Sequence, residues 1–436
     1  MNPLAEKLNS SLESTVAGRL LSATGRRLFF PKGIVAQSAE AKQKAHRFNA
    51  TAGMAYQEGV PLILPAAAAL TGHFHPSESV AYAPTPGVPE LRRRWKEEMI
   101  RKNPSLKGVK TSTPLVTSGL TNGLVHIAEL FVDPGDPVVM PDMFWGNYRL
   151  ILEHRREARI ESFPFFTEQG GFNLEGFSVA LEAGAAERKK VILLLNFPNN
   201  PTGYSPTTEE VRGIVERLVK LADTGTDILV ISDDAYFGLF FEPEVATESV
   251  FASLANAHER ILAVKVDGAT KEDFAWGLRV GFLTYAAAGL DDEALNALEQ
   301  KSIGSLRAIV SNTSNLSQHL LLRVMDDRNY YDQKEKARGV LEARYHTIKS
   351  WLAEKAPIHG DSPLTPLPFN SGYFMSFRCR GIDAEELRHS LLERGIGTIS
   401  IGSDYLRVAF ASVDEAALPE LFDEIYAAAA ELSASS

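Results

Sequence analysis

The sequence predicts an α/β protein. In it, a large domain has a mostly parallel sheet covered by helices, and a smaller α+β domain is built from the N-terminal arm and the C-terminal segment. Two observations predict this fold class. Between about residues 113 and 285, short apolar runs without alternation are separated by longer segments of helical period, a pattern typical of strands buried on both faces. After about residue 320, charged helical stretches alternate with short apolar runs, which favours an α+β unit.

The elements follow in chain order. Five apolar runs predict the strands of the large domain, at residues 137–140, 191–195, 228–231, 261–264 and 280–283. The C-terminal part predicts a helix at 332–355, a Pro-rich stretch at 357–368, a strand at 373–377, a helix at 383–394, a strand at 405–410 and a helix at 415–432. We therefore expect an N-terminal arm with part of the small domain (1–75), a large domain (76–320) and a C-terminal small domain (321–436).

Composition and charge exclude several classes of protein. The chain of 436 residues has 45 basic and 55 acidic side chains, a net charge of −10 spread along its length, so nucleic acid is not an expected partner. The single cysteine, Cys379, excludes an intramolecular disulfide and fits a reducing cytoplasm. No apolar stretch approaches the roughly 20 residues of a membrane span, and the N-terminus lacks a signal-peptide pattern. We expect a cytoplasmic protein.

Chemistry-bearing residues follow the predicted strands. Residues 191–195 lead into a polar turn at 196–203, and residues 228–231 lead into Asp233, Asp234 and Tyr236. Lys271 follows the run that starts at residue 261, and Arg279 stands just before the run at 280–283. Because ligands bind at the carboxyl ends of strands in open parallel sheets, these groups predict one shared site.

The same residues resemble the class I/II aminotransferases, a family that binds pyridoxal phosphate on a fold of type I. The turn Asn200-Pro201-Thr202-Gly203, the segment from Asp233 to Tyr236, and Thr270-Lys271 with Arg279 eight residues later occur in the order that the family uses. The similarity runs from about residue 45 to residue 412. It implies an aminotransferase that moves an α-amino group from an amino acid to a 2-oxo acid in a ping-pong reaction.

The resemblance implies roles for the residues around the cofactor ring. Lys271 would form the imine with the aldehyde and later shuttle a proton, and Asp233 would keep the pyridine nitrogen protonated. Tyr236 and Asn200 would hydrogen-bond the ring oxygen, and Trp145, in the segment 144–148, is similar to the aromatic residue that stacks on the ring. The neighbouring Asp234 matches a variable position and is expected to be structural.

The phosphate needs amide donors at a helix start and a cation. The turn at residues 117–123 is expected to supply the amides, with Gly119, Leu120 and Thr121 as the contacts, and Arg279 is expected to supply the cation. The sequence departs from the family at Gly268, where many members have a phosphate-binding serine, and Thr270 is the candidate replacement.

Substrate recognition is expected to rest on Arg407, which resembles the arginine that binds the α-carboxylate, with Gly53 and Asn200 beside it. Arg307 aligns with a residue that binds a distal carboxylate, and Tyr82 matches a cofactor-binding tyrosine; in the family, both come from the second subunit. The resemblance therefore implies a homodimer. Glutamate is the expected donor, with aspartate, an aromatic or a neutral amino acid as the other partner, while Arg307 can equally be a structural arginine.

Three alternatives remain open at this stage. A C–S β-lyase or a decarboxylase would keep Lys271, Asp233 and Asn200, because the cofactor forms the carbanion and the pocket decides its fate. A regulator that senses pyridoxal phosphate would need a DNA-binding module, for which the chain ahead of the match is short. His73 and His75 are too few for a metal site, so no metal is expected.

Overall fold

A seven-stranded sheet forms the centre of the protein. The computed structural model describes residues 34–51, 53, 55–62, 64–66, 74–187, 189–355 and 362–435, with residues 2, 3, 6 and 10. Three two-residue strands come first in the described chain and lie outside this sheet: β1 (Phe48–Asn49), β2 (Tyr56–Gln57) and β3 (Val60–Pro61). The seven strands of the sheet are β4 (Leu115–Thr117), β5 (Pro137–Pro141), β6 (Arg159–Phe163), β7 (Lys190–Asn196), β8 (Asp227–Asp233), β9 (Ile261–Gly268) and β10 (Gly281–Ala286). The spatial order is β4-β10-β9-β8-β7-β5-β6.

The large sheet is mostly parallel, as predicted. Only β10 runs antiparallel, to β4 on one side and β9 on the other, while β9, β8, β7, β5 and β6 are parallel to one another. Nearly every side chain of β7, β8, β9 and β10 is buried, because helices cover both faces.

Helices pack on this sheet and beyond it. In chain order the described helices are α1 (Ile34–Lys44), α2 (Pro76–Ser79), α3 (Pro89–Lys102), α4 (Leu120–Phe131), α5 (Leu174–Ala185), α6 (Thr208–Asp223), α7 (Val250–Leu254), α8 (Ala269–Glu272), α9 (Asp292–Ile309), α10 (Asn315–Met325), α11 (Tyr330–Lys355), α12 (Ala384–Glu393) and α13 (Leu418–Ser435). Local sequence sets several boundaries: Thr207 and Glu210 form a capping box at the start of α6, and the Asp383 side chain caps α12.

A four-stranded antiparallel sheet forms the second layer. It contains β11 (Leu364–Pro366), β12 (Met375–Cys379), β14 (Ile399–Ile401) and β15 (Tyr405–Val408), in the order β11-β12-β15-β14. The remaining strand, β13 (Ile396–Gly397), pairs with β1 near the N-terminus. This pairing joins the N-terminal arm to the C-terminal segment, which agrees with the expected composition of the small domain.

The structure refines several predicted elements. The predicted helix at 332–355 starts two residues earlier, at Tyr330, and the predicted strand at 373–377 is shifted to Met375–Cys379. The runs did not reveal β4, β6, β11, β13 and β14, most of which are short or carry polar residues. Part of the Pro-rich stretch, residues 356–361, and most residues before 34 lie outside the described residues. No described helix is long and apolar enough to cross a membrane.

Candidate active site

The carboxyl ends of β7 and β8 are fastened to each other by an asparagine that ends β7. Asn196 is the register partner of Asp233, the last residue of β8. The Asn196 side-chain amide donates to the Asp233 carbonyl at 2.8 Å, and its Oδ1 accepts the backbone N–H of Asn200 at 2.8 Å. These two bonds fix the turn that carries Asn200 beside the end of β8.

Asp233 is a buried carboxylate with a phenol as its partner. The Tyr148 hydroxyl donates to Asp233 Oδ2 at 2.6 Å, and the N–H of Ala235 donates to Oδ1 at 3.2 Å. Burial raises the pKa of Asp233 to about 6, although the Tyr148 hydrogen bond and the charge of Lys271 lower it. Asp233 is therefore mostly ionised at pH 7 in spite of its burial.

Lys271 is an amine in a setting that favours its neutral form. It lies in the single turn of α8, directly after β9, with Nζ 5.1 Å from the centroid of the Tyr236 ring. Burial lowers the pKa of Lys271 to about 8; the charge of Asp233 opposes this shift, and that of Arg279 adds to it. A neutral amine is the nucleophilic form that reacts with an aldehyde.

Arg407 is a buried cation without a carboxylate partner among the described residues. It is 2% exposed, its Nη1 donates to Asn200 Oδ1 at 3.0 Å, and its Nη2 donates to Thr51 O at 3.2 Å. Its guanidinium lies over the Phe374 ring at 4.4 Å, and its Nε finds no acceptor in the described part of the chain. Burial lowers the pKa of Arg407 to about 10. Such a cation suits a carboxylate ligand.

Tyr236 and Gly53 complete the surroundings of Arg407. The Tyr236 ring packs edge-on against Tyr373 and Phe374, at centroid distances of 5.3 and 5.5 Å. Gly53 lies next to Phe374, since a Cβ on the glycine would stand 3.9 Å from Phe374 Cζ. The structure thus brings together Lys271, Tyr236, Asn200, Arg407 and Gly53.

A second group forms at the start of α4. Gly119 has a φ of +80°, and a Cβ at this position would lie 2.8 Å from Arg279 Cζ. The Arg279 guanidinium therefore lies directly against the backbone that leads into Leu120 and Thr121, the first residues of α4. The positive φ of this residue favours glycine. The cation and the helix N-terminus together suit an anionic ligand, and we call them the anion site.

The structure explains why position 268 carries no serine. A Cβ on Gly268 would lie 2.6 Å from the Val280 carbonyl oxygen and 2.9 Å from Gly281 Cα, both of them backbone atoms of the neighbouring strand. The Thr270 hydroxyl, in contrast, is buried and has no hydrogen-bond partner within the described residues. Thr270 therefore offers the hydroxyl that Gly268 lacks.

These observations fit pyridoxal phosphate. The anion site and the free Thr270 hydroxyl match its phosphate, the amine of Lys271 matches its aldehyde, and the buried acid Asp233 matches its pyridine nitrogen. Trp145 is half-buried and meets Tyr148 edge-on at 5.5 Å, so it stands next to the partner of Asp233.

Two predicted residues stand apart in this subunit. Tyr82 is 89% exposed, and Arg307 is an exposed side chain that donates to Ser311 Oγ at 2.8 Å. Neither makes a described contact with the buried group. Of the two histidines, His75 contacts Ser77 Oγ at 2.7 Å and His73 lies outside the described residues. In the part of the chain described, no three metal-ligating side chains group together.

Sequence reasoning missed two contributors to the site, Tyr148 and Asn196. Both lie in segments that the sequence analysis identified for other residues. Tyr148 follows Trp145 by three positions, and Asn196 is the first residue of the turn that contains Asn200. A tyrosine in an apolar setting needs a partner for its hydroxyl, but the sequence did not show that this partner is Asp233. Asp234 pairs with Lys265 and Ser249, as expected for a structural residue.

Comparisons with known proteins agree on one family. The family described as aminotransferase class I and II matches residues 55–425. A probable aspartate/prephenate aminotransferase of Aquifex aeolicus is 27% identical over 77% of this chain and 80% of its own length. An aspartate aminotransferase of Bacillus subtilis is 25% identical over 74% and 76%. The crystal structure of an aminotransferase from Anaerococcus prevotii superposes with a TM-score of 0.82 at 24% identity, covering 92% of this chain and 98% of that one.

Proposed function

Since the chain belongs to the class I and II aminotransferases and is a pyridoxal-phosphate-dependent aminotransferase, we propose which residues perform its reaction and which substrates they accept. The proposal rests on one observation above all. Arg407, a buried cation with an open Nε, shares the site with Lys271, an amine of lowered pKa. A carboxylate held by Arg407 places an amino acid beside the group that has to move its proton.

The cofactor is held by groups on three sides. Asp233 holds the pyridine nitrogen, Tyr236 and Asn200 hold the ring oxygen, and Trp145 covers the ring. Gly119, Leu120, Thr121, Thr270 and Arg279 hold the phosphate. When bound, the cofactor supplies an electron sink for the carbanion at the substrate Cα.

Lys271 and Asp233 carry the proton chemistry. Lys271 would hold the cofactor by its aldehyde, and the Lys271 amine, once free, would be placed to take and return the proton of the substrate Cα. Its pKa of about 8 keeps a useful fraction neutral near pH 7, as a general base requires. Asp233, with a pKa of about 6, is ionised at the same pH and stabilises a protonated pyridine nitrogen.

We further propose that the working enzyme is a homodimer. Tyr82 and the neighbouring Val80 are 89% and 83% exposed, so both side chains are free to contact a second subunit. Tyr82 would reach the phosphate site of the second subunit, and Arg307 would reach its substrate.

Because Cys379 is the only cysteine and is buried, we propose a cytoplasmic location. The three-segment division at residues 75 and 320 is also a proposal, supported by the two separate sheets.

The substrates follow from Arg407 and Arg307. Arg407 binds the α-carboxylate of any amino acid, and glutamate is the proposed donor. If Arg307 selects dicarboxylates, aspartate is the second partner; if it does not, an aromatic or neutral amino acid is. The relative from A. aeolicus is named for aspartate and prephenate, which supports testing both kinds of partner.

The experiment is an amino-transfer assay with glutamate, aspartate, phenylalanine and alanine as separate donors, in which the new amino acid and the new 2-oxo acid are both quantified. The proposal expects equal amounts of the two products with glutamate. If Arg307 selects dicarboxylates, Arg307→Ala is expected to raise KM for glutamate and aspartate more than tenfold and to leave KM for phenylalanine unchanged; if Arg307 is structural, KM for all three donors stays the same. Release of pyruvate with ammonia from a β-substituted substrate, without amino transfer, would contradict the proposal.

A further inference from the structure

Lys271 lies in a segment whose conformation is not stable on its own. Helix α8 has four residues, Ala269–Glu272, and a single helical turn is not stable on its own. Phe274 follows with a φ of +52°, and Arg279 has a φ of +53°; both values are uncommon for residues other than glycine. Contacts from elsewhere in the chain must therefore fix this segment.

Two lysines from distant helices grip the residues that follow Lys271. Lys102, at the end of α3, donates to both oxygens of Glu272 at 3.0 and 2.8 Å. Lys334, near the start of α11, contacts Glu272 Oε1 at 2.9 Å and Asp273 Oδ1 at 2.8 Å. The Tyr330 hydroxyl donates to Asp273 Oδ1 at 2.6 Å. We call these five residues the lysine-turn clamp.

The clamp is sheltered from water. The side chains of Lys102 and Lys334 are only 10% and 15% exposed, those of Glu272 and Asp273 7% and 1%. Burial raises the pKa of Glu272, but Lys102 and Lys334 lower it below its ordinary value overall, so Glu272 is charged at neutral pH. Buried ion pairs contribute little net stability compared with apolar residues of similar size. Stability alone is therefore a poor reason for this arrangement.

The same pattern continues behind the other catalytic residue. Asp234, directly after Asp233, pairs with the buried Lys265. Lys265 lies over the Phe237 ring at 4.5 Å, and Lys102 lies over the same ring at 5.6 Å and over Trp95 at 4.8 Å. The carboxylates that follow Asp233 and Lys271 are thus held by adjoining parts of one buried ionic cluster.

We propose that Lys334 and Lys102 are positioning residues for Lys271: by holding Glu272 and Asp273, they fix the turn that aims the Lys271 amine at the cofactor aldehyde. The inference deepens the proposed function and rests on it. Neither lysine touches the cofactor, since both act through the carboxylates that follow Lys271. Removing these ion pairs leaves the Lys271 amine chemically unchanged but no longer fixes its orientation toward the cofactor aldehyde.

The test measures cofactor loading and not turnover. Apoprotein is mixed with pyridoxal phosphate, and the visible absorbance of the bound cofactor is followed over time and at several pH values, beside the melting temperature. The variants are Lys334→Met, Lys334→Arg and Asp273→Asn. The control is Lys190→Met, which breaks another partly buried lysine–aspartate pair, Lys190 with Asp136 at 2.6 Å, at the opposite end of β7.

The inference expects Lys334→Met to take up pyridoxal phosphate at least tenfold more slowly than the wild type and to bind it more weakly. Lys334→Arg is expected to recover most of the uptake rate. The control, Lys190→Met, is expected to take up pyridoxal phosphate at the wild-type rate. Wild-type loading by Lys334→Met, with only a lower melting temperature, would overturn it. If Lys334→Met does not fold, Asp273→Asn carries the test, because it keeps the size of the side chain: about threefold slower loading supports the inference, and unchanged loading contradicts it. Failure of the wild type to load would instead refute the proposed function.

Discussion

At the scale of single residues, burial brings the pKa values of Asp233 and Lys271 closer together. It raises the pKa of Asp233 to about 6 and lowers that of Lys271 to about 8, whereas ordinary values lie near 4 and 10. Between pH 6 and 8 the acid is ionised while part of the amine is neutral. This is the combination that a protonated pyridine nitrogen and a neutral base need.

The lowered pKa of Lys271 predicts how the apoprotein reacts with pyridoxal phosphate at different pH. A lysine with a lowered pKa is neutral, and so nucleophilic, at lower pH than an ordinary lysine. The loading rate is expected to rise with pH and to level off above pH of about 8. Stopped-flow absorbance measures it. A rate that still rises steeply beyond pH 10, as for an exposed lysine, would contradict the burial of Lys271.

Tyr148 predicts a second effect, on the acidic side. Its hydroxyl stabilises the ionised form of Asp233, so Tyr148→Phe should raise the pKa of Asp233 and move the acidic limb of the kcat/KM profile to higher pH. The loss of a hydrogen bond to a charged group predicts a roughly tenfold lower kcat/KM at pH 7. The control is Tyr345→Phe, which removes the hydroxyl that donates to Glu242; it is expected to leave the limb in place. A limb that moves equally in both variants would refute the role of Tyr148.

At the scale of elements, the close approach of β9, β10 and the start of α4 shapes the anion site. Gly281 pairs with both Gly268 and Thr117, and a Cβ on Gly281 would lie 2.7 Å from the carbonyl carbon of Gly119. The absence of side chains at these glycines lets three backbones meet where the phosphate is proposed to bind.

Restoring the serine common in the family at position 268 is therefore expected to harm the protein. In Gly268→Ser, the Cβ meets the backbone of Val280 and Gly281, and the strands have to separate. We expect a lower melting temperature and at least tenfold weaker binding of pyridoxal phosphate, measured by thermal unfolding and by absorbance titration. Gly277→Ala, in the segment between β9 and β10, is the control, because apart from its chain neighbours no residue lies within 4 Å of its added Cβ. Tighter binding by Gly268→Ser would show that the departure weakens the site.

Strands were predicted well where all of their side chains are buried, and poorly where buried and exposed side chains are mixed along the strand. The runs at 191–195 and 228–231 lie within β7 and β8 because both faces of these strands are covered. In contrast, β6 carries exposed and half-buried residues at four of its five positions, so no apolar run marks it. The partners of Glu272 and Asp273 could not be predicted from the sequence, because Lys102 and Lys334 belong to α3 and α11, which are distant along the chain.

At the scale of the whole molecule, the fold class and family were predictable, because the motifs keep their order through most of the chain and the family match covers residues 55–425. The homodimer remains a proposal that rests on the resemblance. Tyr82 and Arg307 are exposed in the single subunit, which leaves them available to the second copy that the proposal requires.

Shared active sites predict complementation between two inactive variants. Lys271→Ala lacks its own amine, and Tyr82→Ala lacks the side chain proposed to serve the other subunit. After unfolding and refolding together, the mixed dimer contains one site with both groups, so a twofold-symmetric assembly predicts about a quarter of wild-type activity. Activity is measured with glutamate and an oxo acid. No recovery in the mixture, or full activity of Tyr82→Ala alone, would contradict shared sites.

The central claim is that Lys271 is the residue that binds pyridoxal phosphate, and it can be tested directly. The purified enzyme is loaded with pyridoxal phosphate, reduced with borohydride, digested and mapped by mass spectrometry. The account predicts the pyridoxyl mass on Lys271 and none on Lys265, which is buried six residues earlier in an ion pair with Asp234. A label on any other lysine, or on none, would contradict the account.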